Sequence, residues 1–136
     1  MSFEYISDLY GKFRKGKRTR FTELEETAKS LMRQFIHGNL NNKDFATEFK
    51  KVGDTYQQLT TDGNVSRIDE DTPLWLNSLL GFHFMDWLRF HQIELYFEEH
   101  PEELYGERAA TFQDLKSLNY TTKFKHICQQ VLAELE

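Results

Sequence analysis

The sequence contains one cysteine, Cys128, and only two prolines in 136 residues. A single cysteine excludes an intrachain disulfide and any cysteine-rich metal site. No apolar run approaches the roughly 20 residues that a membrane-spanning helix requires. At the N-terminus the apolar residues precede the basic ones, which is the reverse of the order in a secretory signal. We therefore expect a cytosolic protein with no membrane contact.

Catalytic and metal-binding motifs are also missing. The five histidines show neither the Glu-x-x-His spacing of helical di-iron sites nor His-Glu-x-x-His, and there is no glycine-rich phosphate loop. Nucleophilic catalysis needs a Ser, Thr or Cys beside an activating base, and no such pair can be identified. The prediction is a protein that is not an enzyme and has no catalytic residue, metal or cofactor. A metal site near His83, His91 and Glu94 on one helix is the alternative.

Charge is divided unevenly along the chain. Residues 1–20 hold six Lys or Arg, all between Lys12 and Arg20, against two acidic residues, which gives a net charge of +4. The remaining 11 basic and 20 acidic residues give residues 21–136 a net charge of −9. An acidic body of this kind favours a positively charged partner and repels the phosphates of a nucleic acid.

Apolar residues recur at three- and four-residue spacing through most of the chain, which predicts an all-α fold. We expect residues 1–136 to form one domain, a four- to five-helix antiparallel bundle, with residues 1–20 as a basic N-terminal helix or extension. Thr22 and Glu25 have the spacing of a capping box at the start of the next helix. Gly38 is expected to end that helix, and Asn41 to cap the following one.

Residues 60–72 lose the periodicity and are rich in turn-forming residues, which predicts a solvated loop. Thr72 is expected to cap a long helix that opens with a proline. Gly81 is a candidate bend or break within this helix. An acidic linker over residues 98–107 leads to a C-terminal helical region, which residues 119–122 are expected to divide.

Two acidic clusters and one tryptophan are the candidate partner-binding residues. The clusters lie just before and just after the long helix, so they stand at its opposite ends if it is continuous and approach each other if it bends at Gly81. Trp75, in the first turn, is large and rigid enough to anchor a protein interface. The complete set is Asp69, Glu70, Asp71, Trp75, Glu98, Glu99, Glu102 and Glu103. Solubilising loop charges are the alternative interpretation of the clusters.

The segment from Leu31 to Val52, LMRQFIHGNLNNKDFATEFKKV, resembles the first helix pair of the colicin D-type immunity proteins, the bacterial self-protective colicin-like immunity family. In that pattern an apolar helix ends in Phe-x-x-Gly, and after a short polar turn the next helix opens with an acidic residue and Phe. The matching residues here are Phe35, Gly38, Asp44, Phe45 and Phe49. The later layout, including Pro-Glu-Glu-Leu at residues 101–104, is also similar.

The resemblance implies a small helical bundle that binds a nuclease toxin and blocks its active site. For a toxin that cuts tRNA, it implies an acidic surface in the basic cleft that receives the substrate phosphates. The hypothesis is therefore a cytosolic immunity protein for a cognate basic toxin domain of a bacteriocin or contact-dependent inhibition system. The alternatives are a small regulatory or adaptor protein that contacts nucleic acid through Lys12 to Arg20, and an enzyme with an unrecognised helical site.

Overall fold

The computed structural model describes residues 18–136, so residues 1–17 of the predicted basic N-terminal helix or extension lie outside the described residues. The helices are α1 (Thr22–Ile36), α2 (Asn42–Leu59), α3 (Leu74–Ser78), α4 (Phe84–Glu99), α5 (Gly106–Ser117) and α6 (Tyr120–Leu135). The other elements are a two-strand hairpin, β1 (Thr61–Asp62) and β2 (Val65–Ser66), a π-helical turn (Leu79–His83) and a 3₁₀ turn (Pro101–Glu103). The prediction of an all-α fold is confirmed.

Helices α1 and α2 pack against each other around a short turn whose ends were predicted correctly. Gly38 follows α1 with φ +76°, a left-handed conformation that suits glycine. The side chain of Asn41 accepts a hydrogen bond from the Asp44 backbone N–H at 2.8 Å and so caps α2. The short turn makes the two helices an antiparallel pair.

Helix α1 begins at Thr22 as predicted, but the predicted capping box does not form. The Thr22 hydroxyl accepts a hydrogen bond from the Thr19 backbone N–H at 2.9 Å. The Glu25 carboxylate instead accepts one from Nε1 of Trp75, 50 residues away, at 2.9 Å. The capping prediction was wrong because both side chains have partners outside the first turn of their own helix.

Helices α3 and α4 and the π-helical turn between them form one helical run from Leu74 to Glu99. The residues at the junctions keep right-handed helical dihedral angles, so the run is not interrupted. Gly81 lies in the middle of the π-helical turn and marks a local irregularity instead of a break. The run starts one residue later than predicted, because Pro73 is its N-cap and the Thr72 hydroxyl accepts a hydrogen bond from a loop residue.

A cluster of aromatic rings from α1, α2, α4 and α6 forms the centre of the core. Its members are Phe35, Phe45, Phe49, Phe84, Trp87 and Phe124. The rings of Phe35 and Phe45 stack with centroids 4.0 Å apart, which joins α1 to α2. Trp87 contacts both of these rings, and its Nε1 donates a hydrogen bond to the Thr121 hydroxyl at 3.0 Å. One tryptophan on α4 therefore joins three other helices.

Helix α5 lies outside this core and has no buried residue. Its Phe112 ring contacts Phe97 near the end of α4, with centroids 4.9 Å apart. Asn119 adopts a left-handed conformation (φ 52°) between α5 and α6, which confirms the division predicted at residues 119–122. No helix within residues 18–136 combines the length and the apolar character needed to cross a bilayer.

Replacing a ring at the centre of the cluster should cost far more stability than replacing one on α5. Phe45→Ala is expected to lower the free energy of unfolding by about 3–5 kcal/mol, because it leaves a cavity among packed rings. Phe112→Ala is the control, since Phe112 is half-buried. Urea unfolding of both variants measures the difference, and equal losses would contradict this description of the core.

His91 is a second feature of the core with a measurable consequence. It is buried, its ring stacks on Trp87 with centroids 5.1 Å apart, and its Nε2 has no hydrogen-bond partner among the described residues. Burial lowers the pKa of His91 from its ordinary value of 6.5, and the charge of Glu98 opposes this shift.

The free energy of unfolding should fall as the pH falls below about 6.5, the ordinary pKa of histidine. Because the pKa of His91 is lower in the folded state, its contribution to stability is complete above the unfolded pKa of about 6.5 and is lost below it. His91→Phe should flatten the dependence of the free energy of unfolding on pH between about pH 7.5 and pH 5. A slope equal to that of the wild type would exclude His91 as its cause.

Candidate partner-binding surface

The first acidic cluster, residues 69–71, is tied to the fold through Asp69. Nη1 of Arg20 donates a hydrogen bond to the Asp69 carboxylate at 3.0 Å, and Nε of Arg20 donates one to the backbone carbonyl of Leu59 at 3.1 Å. The hydrogen bond from Arg20 lowers the pKa of Asp69 from its ordinary value of 3.8. Arg20 therefore fastens the entry to α1 both to the end of α2 and to this loop.

Asp69 also organises the turn that leads into α3. Its backbone N–H donates a hydrogen bond to the Thr72 hydroxyl at 3.0 Å, and its carboxylate accepts one from the Asp71 backbone N–H at 3.0 Å. A partner that binds the Asp69 carboxylate must compete with its hydrogen bonds within the protein. Of the predicted binding residues, Asp69 thus has a clear structural role in the protein itself.

Trp75 is half-buried against the core and is oriented by α1. Its Nε1 donates a hydrogen bond to the Glu25 carboxylate at 2.9 Å, which satisfies the one polar group of the indole. Only the exposed part of the ring is therefore available to a partner. Trp87, by contrast, is 1% exposed and lies at the centre of the aromatic cluster.

The second acidic cluster lies where α4 ends and the 3₁₀ turn begins, and we call it the α4-end patch. It consists of Glu98, Glu99, Glu102 and Glu103. Residues 94–107 contain six glutamates and no lysine or arginine. The carboxyl end of a helix carries partial negative charge from its free carbonyl groups. Side chains and backbone therefore concentrate negative charge at this end of the helical run.

Contacts within the α4-end patch fix some of its carboxylates and leave others open. Glu103 accepts a hydrogen bond from the Tyr96 hydroxyl and lies 3.8 Å from Nη1 of Arg108. Glu102 lies 3.4 Å from Nδ1 of His100. Glu98 and Glu99 are exposed and make no ion pair or side-chain hydrogen bond among residues 18–136.

The pKa of Glu94, which lies four residues before Glu98 in α4, reflects the closeness of other carboxylates. Burial raises its pKa from the ordinary value of 4.5, the charge of Glu98 raises it further, and Lys116 opposes both effects.

Two exposed tyrosines belong to the same region, and the sequence prediction missed them. Tyr96 is 46% exposed and lies two residues before Glu98, the first residue of the patch, and Tyr105, 68% exposed, follows the patch closely. The sequence feature that could have identified these tyrosines as candidate binding residues is their position on either side of an acidic stretch. Aromatic side chains beside charged groups are typical of the residues that contribute most to protein interfaces.

The two clusters lie at opposite ends of the helical run. A run of 26 residues is about 39 Å long, and no break brings its ends together. Of the two arrangements that the sequence allowed, the structure has the extended one. One narrow cleft in a partner cannot receive both clusters at once.

One group of potential metal ligands and one buried thiol are found among residues 18–136. Among residues 18–136, only His100, Glu102 and Glu103 have donor atoms close enough to share an ion, within 4.8 Å of one another. None of the three is buried, and Glu103 already contacts Tyr96 and Arg108, so the group forms a surface network of polar contacts. Burial raises the pKa of the Cys128 thiol to about 12, which disfavours its reactive thiolate form.

The pKa of Asp69 offers a direct test of its contact with Arg20. In Arg20→Met, the pKa of this carboxyl should return toward 3.8, as measured by an NMR titration of the side chain. Because the folded-state pKa of Asp69 is lowered, its contribution to stability is present above about pH 4 and is lost as the pH falls. Arg67→Met is the control, since Arg67 has a weaker influence on Asp69. Equal shifts in the two variants would contradict the assignment.

No protein-family model, no curated protein and no solved structure matches this chain.

Proposed function

We propose that this protein is an immunity protein that binds a cognate basic toxin domain, with the α4-end patch as its principal contact. The observation that carries the proposal is the concentration of glutamates at the end of α4, next to two exposed tyrosines. The described chain as a whole also carries negative charge, since residues 18–136 hold 13 basic and 20 acidic residues, a net charge of −7.

The proposed mechanism is steric and electrostatic. A nuclease cleft that binds substrate phosphates is lined by Lys and Arg, and carboxylates can take the positions of those phosphates. Glu98 and Glu99 are open for such pairing, while Glu103 is held in place by Tyr96 and Arg108. Holding part of the surface in advance reduces the entropy lost on binding.

The two tyrosines would supply the apolar part of this contact. Tyr96 lies in the last turns of α4, and Tyr105 is the residue that precedes α5. Each tyrosine therefore lies at the end of a helix. Their rings can pack against the aliphatic stems of Lys and Arg in the toxin, while the Tyr96 hydroxyl keeps its hydrogen bond to Glu103 and the Tyr105 hydroxyl faces water.

The loop at residues 69–71 and Trp75 have a different part in this mechanism. Because they lie about 39 Å away along the helical run, we place them outside the cleft that receives the α4-end patch. Their charge adds to the negative field that steers a basic toxin during approach. Trp75 provides an additional contact only if the toxin extends along the run.

The proposed toxin is a ribonuclease that cuts tRNA, from a bacteriocin or contact-dependent inhibition system. This identity follows from the resemblance of residues 31–52 to the colicin D-type immunity proteins. Because tRNA is the substrate, the immunity protein would act in the cytosol of the cell that makes it.

Charge reversal at the α4-end patch tests the proposal. The triple variant Glu98→Lys, Glu99→Lys and Glu102→Lys should slow association with the toxin domain encoded directly upstream by at least about tenfold at low salt. The control is Asp54→Lys, Asp62→Lys and Glu134→Lys, which changes the net charge equally at exposed carboxylates outside the patch. Stopped-flow measurements across a salt series give the association rates, and the difference should shrink as salt rises.

Three results would overturn the proposal: equal effects of the two triple variants, an association rate that ignores salt, or no toxin domain that this protein neutralises in cells. The nucleic-acid alternative is separated by deleting residues 2–17. This deletion retains Arg20, which has a structural role. Protection against the toxin should survive it, whereas nucleic-acid binding through the basic segment would be lost.

A further inference from the structure

One face of the helical run exposes large apolar side chains along most of its length. Phe82 is 62% exposed, Met85 41%, Ile93 39% and Tyr96 46%. Because an α-helix turns by about 100° per residue, these positions fall on one side of the run. Arg89, also exposed, lies in the middle of the same side. We call these five residues the α4 seam.

The α4 seam is symmetric about Arg89. Met85 and Ile93 lie four residues before and after it, and Phe82 and Tyr96 lie seven residues before and after it. Offsets of four residues place Met85 and Ile93 within about 40° of Arg89 around the helix, and an offset of seven places Tyr96 within about 20°. Phe82 lies in the π-helical turn, which moves it somewhat further round the helix but leaves it exposed. The order of side chains is therefore aromatic, aliphatic, arginine, aliphatic, aromatic in either direction.

A surface with this symmetry is complementary to a second copy of itself. When two such helices pack antiparallel about a two-fold axis at Arg89, each residue before Arg89 faces the residue equally far after it on the other copy. Phe82 then contacts Tyr96 of the second copy, and Met85 contacts Ile93 of the second copy. Because of the two-fold symmetry, the contact between Phe82 and Tyr96 and the contact between Met85 and Ile93 each occur twice.

The charged residues beside the seam agree with the same arrangement. Asp86 and Gln92 lie three residues before and after Arg89, about 60° to either side of it, so Asp86 lies level with Gln92 of the second copy along the helix. Arg89, next to the axis, can reach Asp86 of the second copy. Within residues 18–136, Asp86 and Arg89 each make no ion pair or side-chain hydrogen bond. Both are therefore available to form a pair across the axis, which offsets the repulsion between the two arginines.

We propose that two copies of this chain associate through their α4 seams as an antiparallel, two-fold symmetric dimer. The proposal does not rest on the function proposed above, but both use Tyr96, so a bound toxin and a second copy would compete for that ring. A seam from Phe82 to Tyr96 is about 21 Å long. One helix face of this length buries less than the roughly 800 Å² per partner of a standard stable interface. The dimer is therefore reversible, and its population rises with protein concentration.

Sedimentation equilibrium of the full chain over a concentration series tests the dimer. Met85→Lys should abolish the dimer, because it places a charge in the seam. Leu74→Lys is the matched control, since Leu74 is an exposed apolar residue (69%) at the other end of the helical run. Circular dichroism should show unchanged helix content in both variants, since both side chains are exposed.

Charge exchange tests the symmetry itself. Asp86→Arg alone and Arg89→Asp alone each bring like charges together across the axis, so each should raise the dimer dissociation constant by about tenfold or more. The double variant exchanges both charges, restores opposite charges across the axis and should recover most of the lost affinity.

Four results would overturn the proposal. The wild type could remain monomeric at the highest concentration reached, or Met85→Lys and Leu74→Lys could behave alike. The double charge variant could dimerise no better than either single variant. Finally, Met85→Lys could weaken binding to the upstream toxin domain and leave self-association unchanged, in which case that domain and not a second copy occupies the seam.

Discussion

Aromatic packing between Phe35 and Phe45 determines where the other helices lie. The stacked rings join α1 to α2, and Trp87 packs against both while its indole N–H is held by Thr121 on α6. Phe124 completes the cluster from α6. Since α4 has its position fixed through Trp87, the faces that α4 leaves exposed are fixed by the same contact.

That constraint explains why the exposed surface of α4 carries two different properties. Trp87, Leu88 and His91 face the core, so the opposite side of the helix, centred on Arg89, remains outside. The end of the helix extends past the aromatic cluster, and in the 3₁₀ turn that follows it Glu102 contacts His100 and Glu103 contacts Tyr96 and Arg108. An apolar seam along the side and an acidic patch at the end are thus adjoining surfaces of one helix, and Tyr96 belongs to the seam while its hydroxyl contacts Glu103 of the patch. We propose self-association for the seam and a basic partner for the patch.

Local features of the sequence predicted the helices well because each depends on neighbouring residues. Asn41 caps α2 and Gly38 ends α1, since a cap or a left-handed residue acts within one turn. The break at Asn119 has the same kind of cause. The capping box at Thr22 and Glu25 was predicted by the same rule and was wrong, because Glu25 has a partner 50 residues away. At Gly81 the sequence signalled an irregularity but left open whether the helix breaks there.

For the candidate site, the sequence by itself determined the location of the acidic clusters along the chain, the absence of cysteine-based and known catalytic motifs, and the helical class. The tertiary structure decided that the clusters stand at opposite ends of a continuous run, that Asp69 is held by Arg20, and that Phe82, Met85, Ile93 and Tyr96 face outward. Which apolar residues of a helix are exposed depends on how many other elements pack against that helix. The periodicity of the sequence shows that a helix has an apolar face, but it does not show how many elements cover the helix, so the exposed apolar residues could be identified only from the packed fold.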